Sequence, residues 1–187
     1  MKKVVILGPE STGKSTLCQL LAEHYKTVWC AEFARQYLLE NGTQYSFDDL
    51  LIIAKGQLAL EESTIANLSK STTDTENDNS PEASSNLVII DTDQYVMKVW
   101  CEYVFGDCHT WILNRVAQRP YDLYLLCKPD LPWVQDELRE YPNEKPRQEL
   151  YHIYKDQMIN QYTPWVEISG NYDERLQKAI SAIDRYL

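Results

Sequence analysis

The sequence predicts a three-layer α/β/α sandwich around a five-stranded parallel sheet. Three observations carry that prediction: five short apolar runs, segments of helical spacing between them, and a glycine-rich turn set between the first run and the first helical segment. Parallel strands covered on both faces have no solvent side, so they read as continuous apolar runs rather than alternating ones. Strands that alternate with helices imply right-handed crossovers and helices on both faces of the sheet.

The predicted strands lie at 4–7, 27–30, 87–90, 122–127 and 165–168, and the predicted helices at 15–25, 32–40, 47–68, 94–105, 145–161 and 172–187. The stretch 69–86 differs from its surroundings: it is almost entirely Ser, Thr, Asp, Glu and Asn, with one Pro and no large apolar residue. Such a composition buries too little surface to offset ordering entropy, which predicts a flexible polar insert between a helix and the third strand. The αβ alternation continues on either side of it, so residues 1–187 read as one domain.

Composition narrows the function classes. A formal net charge of -10 opposes the phosphate attraction that nucleic-acid binding needs. No apolar run is long enough for a membrane span and no signal peptide is readable, so the expectation is a cytoplasmic protein without a nucleic-acid or membrane partner. The five cysteines have irregular spacing with no Cys-x-x-Cys pair, which reads as reduced, partly buried thiols rather than a zinc site. Oligomeric state is open.

The chemistry begins at Gly8-Pro-Glu10-Ser11-Thr12-Gly13-Lys14-Ser15, which follows the first strand and opens the first helix as the Walker A pattern requires. In such a P-loop the glycines let successive amides approach phosphate oxygens, and the helix adds its positive end. Residues 8–16, through Thr16, are therefore the expected ATP-binding loop, with Lys14 reaching the β- and γ-phosphates and Ser15 ligating Mg²⁺. The third strand ends in Asp91-Thr-Asp93; Asp91 is the expected second metal ligand, and Asp93 a candidate to face the acceptor, with a solvated turn carboxylate as the plain alternative. Glu32 and Arg35, after the second strand, open onto the same edge of the sheet, where Glu32 can take a hydroxyl proton or bind a sugar and Arg35 can pair with it or with phosphate. A surface ion pair is the plain reading of those two.

The fourth strand leads into Lys128-Pro-Asp130, which lacks the Asn-Lys-x-Asp of a guanine site, and the chain is short for a helicase or transporter ATPase. A small-molecule kinase fits better. The polar, basic segment at about 130–148 is the expected helical lid, with Arg139 and Arg147 as the arginines brought to the transferring phosphoryl group. Trp133 and Asp136 are candidate substrate contacts, the indole offering a face to a cationic ring. Gly170 and Tyr172, after the last strand, are candidates to flank adenine, although the same loop also suits an N-cap by Asn171 or Ser169.

Taken together, the P-loop, Glu32-Phe-Ala-Arg35, Asp91-Thr-Asp93, Trp133-Val-Gln-Asp136-Glu-Leu-Arg139 and Lys145-Pro-Arg147-Gln resemble the ribosylnicotinamide kinase domain of NadR-type proteins. The resemblance spans nearly the whole chain except 69–86. It implies ATP- and Mg²⁺-dependent phosphorylation of nicotinamide riboside to nicotinamide mononucleotide in NAD salvage. The adenylyltransferase motif His-x-Gly-His and the helix-turn-helix of NadR-type proteins do not stand in these 187 residues, so a stand-alone kinase domain is expected. The alternatives are a kinase for another nucleoside or small metabolite, and a nucleotide-dependent regulatory ATPase.

Overall fold

The computed structural model describes residues 1–73, 86–118, 121–138, 141 and 143–187, the side chains of residues 70–73 excepted. Its sheet has five parallel strands in the order β2-β3-β1-β4-β5. These are β1 (Lys2–Leu7), β2 (Val28–Cys30), β3 (Leu87–Asp91), β4 (Leu123–Cys127) and β5 (Trp165–Ile168). The helices are α1 (Lys14–His24), α2 (Phe33–Asn41), α3 (Phe47–Thr73), α4 (Gln94–Phe105), α5 (Thr110–Gln118), α6 (Glu144–Ile159) and α7 (Tyr172–Tyr186).

The two-residue alternation of a strand sorts the core into two layers. Val4 and Ile6 of β1, with Leu123 and Leu125 of β4, pack against Leu17 and Leu21 of α1 and Ala179 and Ile183 of α7. Val5 and Leu7, with Tyr124 and Leu126, face Tyr95, Val96 and Val99 of α4 and Leu150, Tyr151 and Tyr154 of α6 on the other side. Both layers are fully apolar at the central strands, which is why those runs lack alternation in the sequence. A third cluster joins α2, α3, α4 and α5 around Leu50, Ile53, Met97 and Ile112.

Two elements depart from expectation. Helix α3 continues to Thr73, so the first residues of the expected insert belong to a helix; its residues 74–85 lie outside the described residues. Polar residues tolerate a helical end when the preceding turns are already packed, and propensity is a weak prior there. Helix α5 was not foreseen: only Ile112 of its nine residues is fully buried, so its apolar stripe is short.

The β3-β1-β4 centre brings the ends of β1 and β3 together, with Ile6 level with Asp91. The strand order reverses between β3 and β4, on either side of β1, and that crevice is where an open α/β sheet binds ligands. No described helix is long and apolar enough to cross a membrane.

Candidate functional site

The loop between β1 and α1 is shaped by backbone constraints that single residues satisfy. Gly8 has φ +138, and a Cβ there would stand 2.6 Å from the carbonyl oxygen of Cys127 on β4. Gly13 caps α1 in the left-handed region at φ 75, turning the chain into the helix. Ser11, also left-handed at φ 55, has no such excuse, and strain of that kind is retained where neighbouring structure fixes the residue. The loop wraps one end of a cavity of about 510 Å³, which residues 8–16 line.

Where β3 ends, Ser15 Oγ donates to Asp91 Oδ2 at 2.6 Å. Asp91 is fully buried, and its Oδ1 has no partner among the described residues. Burial first, and then the charge of Glu32, push its carboxyl up to about 6, against the pull of Lys14 and the hydrogen bond from Ser15. A hydroxyl beside a buried carboxylate with one oxygen unpartnered is the oxygen donor set that Mg²⁺ takes when it binds between protein and phosphates. Lys14 lies across the same loop, its Nζ donating to the carbonyl of Pro9 at 2.9 Å.

The other end of the cavity is lined by Glu32, Arg35 and Asp136 and by five aromatic rings: Trp29, Trp100, Tyr103, Tyr141 and Tyr154. Arg35 and Asp136 form a two-bonded ion pair, 3.2 and 3.0 Å, that joins α2 to the segment after β4. Glu32 is the N-cap residue of α2 but makes no capping bond with its side chain, which accepts from Thr92 Oγ1 at 3.4 Å. A helix N-terminus lies behind it and Asp91 is close enough to influence it electrostatically.

Other expected residues stand elsewhere. Asp93 does not line the cavity: it caps α4, accepting from Tyr95 N at 2.9 Å and from the Tyr124 hydroxyl at 2.8 Å. Its buried oxygens are engaged in the fold, which corrects the expectation of an acceptor contact. Trp133 is outside the cavity too, its indole N–H reaching Glu10 Oε1 at 3.4 Å, and the aromatic faces come from the five rings named above. Arg147 is only 6% exposed in the first turns of α6, with Nε and Nη1 unpartnered among the described residues. Leaving a buried donor unpartnered costs about 1–3 kcal/mol. Arg139 lies outside the described residues. Residues 128–138 run as an irregular segment, and the helical part of 130–148 is the start of α6. Tyr172 packs its ring on Gly13 of the loop, while Gly170 N donates to Asp130 at 2.8 Å, and Asn171 forms a full capping box with Glu174.

A family model described as an AAA domain matches residues 3–175. The chain belongs to that AAA-domain family. Two curated relatives of this AAA domain are the trifunctional NAD biosynthesis/regulator proteins NadR of Escherichia coli (strain K12) and Salmonella typhimurium, each 24% identical over 190 residues and 98% of this chain. The match spans 42% of either relative, so the chain corresponds to less than half of their length. Among solved structures, NadR protein in complex with NR superposes with a TM-score of 0.73 at 23% identity, over 99% of this chain and 49% of that one. NadR in complex with NAD and AMP-PNP gives 0.67 at 23% over the same shares, and deoxyadenosine kinase from M. mycoides with bound dATP gives 0.56 at 12%, over 98% and 100%. These likenesses show that the AAA domain shares its fold with P-loop kinases.

Three further residues of this AAA domain shape the site and carried no motif signal. Gln57, buried in α3, accepts from Phe33 N at 2.7 Å and donates to the carbonyls of Ala31 at 3.2 Å and Asp91 at 3.4 Å, holding the backbone on both sides of Glu32. Thr92 adopts φ 77, a costly conformation for a β-branched residue, at about 1–3 kcal/mol. Arg175, buried in α7, donates to the carbonyls of Gly170, Thr12 and Lys128 and pairs with Asp130, so one guanidinium fastens three loops. A polar residue in the middle of a predicted helix announces burial only through its partners, which the sequence does not display.

Proposed function

We propose that this chain transfers the γ-phosphoryl group of ATP to the 5′-hydroxyl of a nucleoside, with nicotinamide riboside as the preferred acceptor and nicotinamide mononucleotide as product. The observation that carries the reading is the single cavity with a phosphate loop at one end and a carboxylate among aromatic rings at the other. One end suits a triphosphate, and the other suits a sugar and a flat cationic ring, since aromatic faces and the acids Glu32 and Asp136 both favour a cation. Similarity to NadR, which has been seen with NR and with AMP-PNP, supports the choice of ligands.

In this reading the loop amides and Lys14 hold the β- and γ-phosphates in line with the acceptor. Ser15 Oγ and Asp91 are the groups that would hold Mg²⁺, which when bound neutralises charge on the phosphates. Glu32 orients the 5′-hydroxyl and accepts its proton as the oxygen attacks the γ-phosphorus and the bond to the β-phosphate oxygen breaks, leaving ADP. The buried guanidinium of Arg147, with Nε and Nη1 unpartnered among the described residues, is suited to the charge that builds on the equatorial oxygens. Thr12, Gly170 and Tyr172 belong to the adenine side, where Tyr172 lies on the loop.

A panel of nucleosides with ATP and Mg²⁺, read by ADP release, tests the assignment. Turnover with nicotinamide riboside well above the other nucleosides supports it. Activity confined to a different nucleoside overturns the acceptor and keeps the kinase; ATP hydrolysis indifferent to every acceptor supports a regulatory ATPase instead.

A further inference from the structure

A carboxylate inside a phosphate-binding loop is out of place on electrostatic grounds, because it repels the triphosphate that the loop gathers. Glu10 is such a residue, and it lines the cavity. Its Oε1 faces the segment that follows β4, accepting from the backbone N–H of Tyr141 at 2.7 Å and from the indole N–H of Trp133 at 3.4 Å. The next loop residue does the same, since Ser11 Oγ accepts from Val134 N at 3.0 Å. Ser11 makes that contact while held in the left-handed region, at φ 55.

The consequence lies at the far end of the cavity. Tyr141, held at its backbone by Glu10, contributes its ring to the aromatic end and packs edge-on against Tyr103 with centroids 5.8 Å apart. Asp136, on the same segment, carries the ion pair to Arg35. We propose that Glu10 is a positioning residue for the acceptor rather than a phosphate contact: through Tyr141 and Trp133, with Ser11 beside it, Glu10 fastens the acceptor wall of the cavity to the donor loop. The acceptor's class, a nucleoside with a flat base, rests on the function proposed above; the fastening itself does not.

Two measurements separate the fastening from the function. Amide hydrogen exchange of the unliganded protein reads the strap directly, and Glu10→Ala is expected to speed exchange at Tyr141 at least tenfold, while Glu10→Gln, whose amide oxygen accepts the same N–H, stays within about threefold of wild type. Ser11→Ala is expected to do the same at Val134. In calorimetric titrations with nicotinamide riboside and ATP, Glu10→Ala is expected to weaken nucleoside binding about tenfold and to leave ATP binding unchanged or tightened, since the loop loses a like charge. Unchanged exchange at Tyr141 overturns the strap. Weakened ATP binding with nucleoside binding intact overturns the positioning role and makes Glu10 a phosphate-side group. Accelerated exchange with no nucleoside binding by wild-type protein keeps the strap and sinks the acceptor assignment.

Discussion

Asp91 and Glu32 carry the sharpest consequences for individual residues. Asp91 is a buried acid whose value in the folded protein, about 6, lies above its ordinary one. Such a group favours the folded state below the ordinary carboxylate range, and the contribution is lost as pH rises through about 6. Asp91→Asn in the nucleotide-free protein is therefore expected to raise stability at pH 8 by on the order of 2 kcal/mol, with the gain vanishing near pH 3, as read by urea midpoints. Glu32→Gln is expected to cut turnover at least tenfold, about 1.4 kcal/mol in the barrier, with little change in stability. Asp93→Asn should do the reverse, lowering stability through the Tyr95 and Tyr124 bonds while the chemistry persists. The Walker A residues and Asp91 were legible because each stands in a fixed place relative to a strand end. Asp93 was not, because strand alternation would put it on the same side as Asp91, whereas the positive φ of Thr92 turns the chain between them and Tyr124, two strands away on β4, takes up the second acid in the fold. Thr92 between them was silent, since strain leaves no mark on residue type.

Among the elements, the strands were legible to within two residues at each end, because the central ones have no polar face to confuse the pattern. The segment at about 130–148 was read from its polar, basic character and one tryptophan, and residue types do not give the path. It fastens to Glu10 and Ser11 at one place and to Arg35 at another, contacts made by backbone amides and one aspartate. Helix α3 shows the same limit: its Gln57 supports Glu32 from behind, yet its sequence reads as an ordinary amphipathic helix. Helix α6 carries the clearest energetic test. Arg147 is buried with Nε and Nη1 unpartnered among the described residues, which weakens the resting fold. If it stabilises the transferring phosphoryl group as proposed, Arg147→Met is expected to leave the urea midpoint unchanged or raised while lowering kcat by about 10²–10³-fold, the scale on which loss of one transition-state donor acts. Loss of stability with kcat preserved would make the arginine a structural strut.

At the scale of the whole molecule, the edge strand β5 carries a charged cluster beside its apolar packing. Burial alone would raise the carboxyl of Glu167 on β5, but hydrogen bonds from Tyr151 and from Lys155 and Lys128, at 3.0 and 3.1 Å, prevail and hold it down to about 2. A depressed acid stabilises the fold above its ordinary range and loses that contribution as pH falls toward about 2. The cluster is partly exposed, so Glu167→Gln is expected to cost less than about 1 kcal/mol at pH 7, the difference closing near pH 2 in urea titrations. Deeper in, Arg175 draws the loop after β1 and the loops after β4 and β5 to one point, so their meeting is a property of the assembled fold rather than of any one motif. The same holds for the two-ended cavity as a whole: its donor end was written in consecutive residues, while its acceptor end is gathered from β2, α2, α4, the segment after β4 and α6. The central claim is that these two ends exchange a phosphoryl group. The most direct measurement follows γ-labelled ATP in a single turnover with nicotinamide riboside. Label is expected in nicotinamide mononucleotide in step with ADP formed, and a Glu32→Gln protein is expected to bind both substrates but transfer slowly. Label released only as inorganic phosphate, with the nucleoside unchanged, would contradict it.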